Sequence, residues 1–124
     1  MVSTASDIYT TILDACPRLR SATFSLSGVP SEHYQFVWQR LVNAMPHLPQ
    51  SAQLVILEIR RPADINVIRG VQDLRRAFEA LVAERRPPMV LSVRPDGRPM
   101  LELGEQMAIQ PLFPRLTADA LLQF

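Results

Sequence analysis

The chain has 124 residues and a mass of 14.0 kDa, which fits one domain that buries its own core without disulfides or metal. Apolar residues make up 48% and charged residues 20%, a mixture that excludes disorder and collagen-like fibre. Thirteen basic residues against twelve acidic ones leave a net charge of +1, so no electrostatic attraction to nucleic acid is expected.

All the basic residues are arginine. A GC-rich bacterial coding sequence produces this bias. The physical alternative is a use of planar, bidentate guanidinium contacts. Met1 to Asp7 carries neither a charged leader nor an apolar signal core. The longest dense apolar run, Leu54 to Leu57, is far short of the ~20 residues that span a bilayer. A single cysteine, Cys16, excludes an internal disulfide. These features predict a cytoplasmic bacterial protein without membrane insertion.

In chain order, Thr4 or Ser6 caps a first helix over about 6–16, with Asp7 in its first turn. Ile8, Ile12 and Cys16 are spaced four apart, and Pro17 stops the helix. Ser21 to Ser27 alternates with period two, which reads as a half-buried strand with Ala22, Phe24 and Leu26 inward. Gly28 to Pro30 turns the chain, and Ser31 caps a second helix with Glu32 in its first turn. Tyr34, Val37, Trp38, Leu41, Val42 and Met45 form its apolar stripe, and Phe36 lies off it. Pro46 and Pro49 end it.

Leu54 to Ile59 is apolar on nearly both faces, as a strand inside a parallel sheet is. Asp64 then caps one long helix from about Ile65 to Arg86, buried through Val67, Ile68, Val71, Leu74, Phe78, Leu81 and Val82. Its other face, with Arg69, Asp73, Arg75, Arg76, Glu79 and Arg85, reads as solvated, with helical pairs Arg69–Asp73 and Arg75–Glu79. Pro87 and Pro88 stop it, and Met89 to Val93 is a further strand before a turn at Arg94 to Gly97. Arg98 to Leu103 is either the second strand of a hairpin or the start of a helix running to about Ala108 with Pro99 in its first turn. Gln110 to Pro114 reads as extended, and Thr117 caps a last helix from Ala118 to Phe124, with Asp119 in its first turn. The alternation predicts an α/β fold: a single small domain over 1–124, with a central mixed or parallel sheet of about four strands and helices on its faces.

No catalytic constellation is visible. His33 and His47 lack the spacing and the partners of metal ligands. There is no serine elbow, phosphate-binding loop, dinucleotide fingerprint or C-x-x-C. An enzyme would need Asp64, His33, His47 or Cys16 brought together in space. No catalytic, cofactor-binding or metal-binding residue is expected. The informative stretch is Arg60 to Asn66, where a central strand hands over to a helix, the edge where ligands and partners dock on open α/β sheets. The residues expected to bind a partner are Arg60, Arg61, Asp64, Asn66, Arg69 and Asp73.

From about Ser21 to the C-terminus, the chain resembles a STAS domain, the fold of anti-sigma-factor antagonists and sulfate-transporter tails. Three segments carry the resemblance: Phe24 to Gly28 before a helix, Leu54 to Ile59 before Ile65 and Asn66, and Leu112 to Leu122 as a closing strand and helix. The family's switch is an Asp-Ser pair before a Gly, whose Ser is phosphorylated. The corresponding stretch here, Ile65 to Gly70, has no hydroxyl. The resemblance implies a non-catalytic protein–protein interaction module that docks a regulatory or transport partner without a phosphoswitch. The chain also resembles a thioredoxin fold without active-site cysteines, through its leading helix, Pro88 as a cis proline before a strand, and a hairpin at Asp96–Gly97. That resemblance implies a chaperone or an assembly subunit. Off-stripe Phe36 and the content of aromatics, Met and Arg suit an interface, including one within a homo-oligomer.

Overall fold

Strand formation follows the alternation of side chains. The computed structural model describes residues 19–124. The expected first helix at 6–16, including Cys16, lies outside the described residues. β1 (Ser21–Ser25), β2 (Leu54–Ile59), β3 (Val90–Pro95) and β4 (Leu122–Gln123) form one sheet in the order β1-β2-β3-β4, every pair parallel. The register sets Ala22 beside Val55 and Val55 beside Leu91, with Leu91 beside Leu122.

The helices are α1 (Tyr34–Ala44), α2 (Ile65–Arg69), α3 (Gln72–Ala83), α4 (Leu103–Ile109) and α5 (Pro114–Ala118). Their buried residues share one core with Ala22, Phe24, Val55, Leu57, Ile59, Leu91 and Val93, the inward positions of the strands. A parallel sheet wound in sequence with crossovers of one hand places its helices on a single face, and that is the arrangement here. Trp38 of α1 is fully buried, meets Phe78 of α3 edge-on at 5.4 Å, and donates from Nε1 to the Val67 carbonyl at 2.8 Å.

Several expected elements differ. Ser31 makes no cap bond; a single 3-10 turn at Ser31–His33 precedes α1. The expected long helix is two helices, α2 and α3, broken at Gly70–Val71. A Cβ on Gly70 would sit 2.8 Å from the Tyr34 ring and 3.0 Å from the Asn66 carbonyl, so the break exists where α1 presses on the chain. Leu81, expected inward, is 37% exposed.

The polar face reverses more sharply. Arg75 and Glu79 are buried. Arg75 donates to the carbonyls of Ile68 (2.7 Å) and Arg69 (3.1 Å), which the helix break leaves without intrahelical partners, and to the Leu112 carbonyl (3.0 Å). Glu79 accepts from the Arg115 and Leu116 amides at 2.9 and 3.0 Å, at the start of α5. Arg85 donates to the carbonyls of Met45, Leu48 and Pro49. None of these three serves a solvated helical pair.

Past β3 the ambiguous segment is helical, but α4 starts at Leu103 rather than at Pro99, held by the Glu102 amide donating to Glu105 Oε1 at 3.0 Å. Gln110–Leu112 is a 3-10 turn rather than extended chain, and α5 follows at once. Thr117 caps nothing; its hydroxyl donates back to the Gln110 and Phe113 carbonyls. The closing segment is thus helix then strand, the reverse of the expected order. Two of the thioredoxin-like features are not where they were expected: the cis peptide precedes Pro87, not Pro88, and the chain after Asp96–Gly97 leads into α4 rather than a hairpin strand.

Candidate partner-docking surface

The carboxyl ends of parallel strands converge on one edge of the sheet, where backbone turns rather than strand pairs set the geometry. β1 ends at Ser25 and is followed by Ser27 and Gly28, β2 is followed by Arg60 and Arg61, and β3 by Asp96; these residues line a polar depression. Gly28 has φ +69°, the left-handed conformation that glycine adopts without a Cβ clash.

Asp64 organises this edge from beneath. It is 4% exposed. Its Oδ2 accepts from the Arg60 and Arg61 amides, each at 2.9 Å, and its Oδ1 accepts from the Gly28 amide at 3.3 Å. Burial pushes the carboxyl up, but the three amides and the Arg61 charge outweigh it and hold Asp64 below the ordinary aspartate value. The sequence reading assigned Asp64 to the helix that follows. Its carboxylate instead faces backward and ties the β1 turn to the β2 loop.

Arg60 and Arg61 are exposed, and Arg60 Nη2 pairs with Asp96 Oδ2 at 3.2 Å. Asn66 and Arg69 are exposed on α2, where Arg69 Nη1 donates to Asn66 Oδ1 at 3.4 Å. Asp73 lies beyond the helix break in a separate depression lined by Gln35, Gly70, Val71, Gln72 and Leu74. The fold therefore gathers Arg60, Arg61 and Asp64 at one edge, places Asn66 and Arg69 on the next helix, and separates Asp73 from them.

Beside α2 packs α4, and its outer side is apolar. Met100, Leu103 and Met107 are 68%, 70% and 62% exposed. Leu103 and Met107 are four apart and share a helix face, while Leu101 and Ile109 turn inward. The helix that presents them is fixed by Arg98, whose Nη1 and Nη2 donate to Glu105 Oε1 and Oε2 at 2.7 and 2.8 Å. The Arg98 hydrogen bonds hold the Glu105 carboxyl below its ordinary value against the upward push of burial, with help from the Glu102 amide. Sequence reasoning missed this patch. The signal was present: Met100, Leu101, Leu103, Met107, Ala108 and Ile109 exceed what one inward stripe of a short helix can bury.

Among the described residues, no group of three or more His, Cys, Asp or Glu side chains could hold a metal ion, and no helix is long and apolar enough to cross a membrane. No family model, curated protein or solved structure matches the chain.

Proposed function

We propose that the chain is a non-catalytic, STAS-like docking module of the bacterial cytoplasm, and that it binds a regulatory or transport protein along the α2–α4 side of the sheet's carboxyl edge. The observation that carries this reading is the exposure of Met100, Leu103 and Met107 on and just before α4, a helix that packs against α2 with its exposed Asn66 and Arg69. Apolar anchors within a polar, Arg-containing rim match the anatomy of protein interfaces, and methionine adapts to the shape of a partner. Two of the segments that carry the STAS resemblance coincide with β1 and its Gly28 turn, and with β2 and α2. The stretch Ile65 to Gly70 offers no phosphorylatable hydroxyl, so binding by this module is not switched there.

The test is affinity capture from a bacterial lysate with the wild-type chain, Leu103→Asp, and Arg69→Glu combined with Asn66→Ala. A stoichiometric partner held by wild type and lost from both variants, with their circular dichroism unchanged, supports the reading. Equal capture by all three chains removes this surface from consideration.

A further inference from the structure

The carboxyl edge of the sheet holds more hydrogen-bond donors than acceptors. Its two carboxylates are already engaged. Asp64 accepts from the amides of Gly28, Arg60 and Arg61, and Asp96 Oδ2 accepts from Arg60 Nη2. The Ser27 amide is spent as well, donating to Ser25 Oγ at 3.4 Å. Three side chains are left with donors to give. Ser25 Oγ accepts from that amide and keeps its own proton. Ser27 Oγ is buried and has no hydrogen-bond partner. Arg61 is exposed and forms no salt bridge among the described residues. A buried hydroxyl without a partner costs free energy, so its retention needs a cause.

All three side chains line the polar depression, together with Gly28, Arg60 and Asp96. Its volume of about 510 Å³ falls within the ~300–1,000 Å³ of small-molecule sites. The donors come from two segments, the turn after β1 and the loop after β2, and so meet an occupant from different sides. That suits a tetrahedral oxyanion, whose oxygens accept in several directions, better than a planar carboxylate. Guanidinium groups also match phosphate as a two-pronged fork. Asp64 fixes the spacing of the two segments by tying the Gly28 turn to the Arg60–Arg61 loop, so the depression is formed before an occupant arrives.

We propose that this depression binds a phosphate group, with Arg60 and Arg61 as charged donors and the Ser25 and Ser27 hydroxyls as neutral ones. Ser27 Oγ reaches the phosphate by rotation about χ1. The site uses none of Met100, Leu103, Met107, Asn66 and Arg69, so its failure and the failure of partner docking are separate results. The test is a titration of the isotopically labelled full chain with inorganic phosphate and with glycerol phosphate, read by amide chemical shifts. Saturable shifts should centre on residues 25–28 and 60–61, with a Kd of about 1 mM, as a few exposed contacts allow. Ser27→Ala and Arg61→Gln should each raise that Kd about tenfold. Arg76→Gln, which removes an exposed charge from α3, should leave it unchanged. Ser27→Ala deletes a hydroxyl that bonds nothing, so it should keep the wild-type melting temperature. Tighter binding of glycerol phosphate supports a phosphorylated small molecule as the occupant, and tighter binding of the inorganic ion supports free phosphate. Shifts that do not saturate, shifts reproduced by sodium chloride at equal ionic strength, or one Kd shared by wild type, Ser27→Ala and Arg61→Gln overturn the proposal.

Discussion

Arg75, Glu79 and Asp64 show how far a charged residue's role can lie from its position in the pattern. Each sits where periodicity places a solvated charge or an ordinary cap, and each is buried with its hydrogen-bonding capacity directed at backbone groups. Periodicity registers polarity but not the location of unpaired amides and carbonyls, which depends on how distant segments meet. Asp64 makes a testable case. Its folded-state pKa is lowered, so the stability it contributes is present above the unfolded value of about 3.9 and is lost as pH falls through the folded value. Asp64→Asn turns one acceptor into a donor facing amide donors and should cost about 1–3 kcal/mol at neutral pH. Urea melts across pH should show that gap narrowing below about pH 4. A gap of constant size would mean that the carboxylate charge contributes nothing to the clamp.

At the scale of elements, the three main strands and the body of α1 were legible, because Ser21 to Ser25, Leu54 to Ile59 and Met89 to Val93 carry unbroken β patterns. The helix break was not, since Gly70 within an apolar stripe reads as a tolerated glycine; the backbone leaves the helix at Val71, and the Tyr34 ring of α1 packs where a Cβ on Gly70 would stand. Gly70→Ala should therefore destabilise the fold by about 1–3 kcal/mol through overpacking, although alanine has the higher helix propensity. A rise in the denaturation midpoint would show that the Tyr34 contact yields freely.

The close of the chain was misread for a similar reason. α5 ends in a Schellman motif, with Leu121 N–H on the Leu116 carbonyl at 2.8 Å and Ala120 N–H on the Thr117 carbonyl at 3.3 Å. Ala120 occupies the left-handed position, φ 57°, where glycine is the usual signal. An alanine there reads as helix continuing, so β4 was hidden. Relief of the left-handed strain exceeds the added unfolded-state entropy, so Ala120→Gly should raise stability by about 0.5 kcal/mol. Thermal melts that show a loss instead would argue against strain at this turn.

For the whole molecule, the α/β class followed from the alternation of elements, and the sequential parallel order follows from where each crossover lands. The candidate site was only partly legible. Arg60, Arg61 and Asp64 meet at the carboxyl edge because β2 hands over to α2 there, which the sequence order implied. Met100, Leu103 and Met107 were not singled out, because their exposure depends on which side of α4 the fold covers. Asp73 is parted from the group by the break at Gly70 and Val71. The central claim is that this edge and the outer side of α4 form one docking surface. Hydrogen–deuterium exchange of the chain, alone and bound to its captured partner, tests it most directly. Binding should slow exchange across residues 60–70 and 99–109 and leave α1 unchanged. Protection confined to α1, or to the sheet's second face, would contradict it.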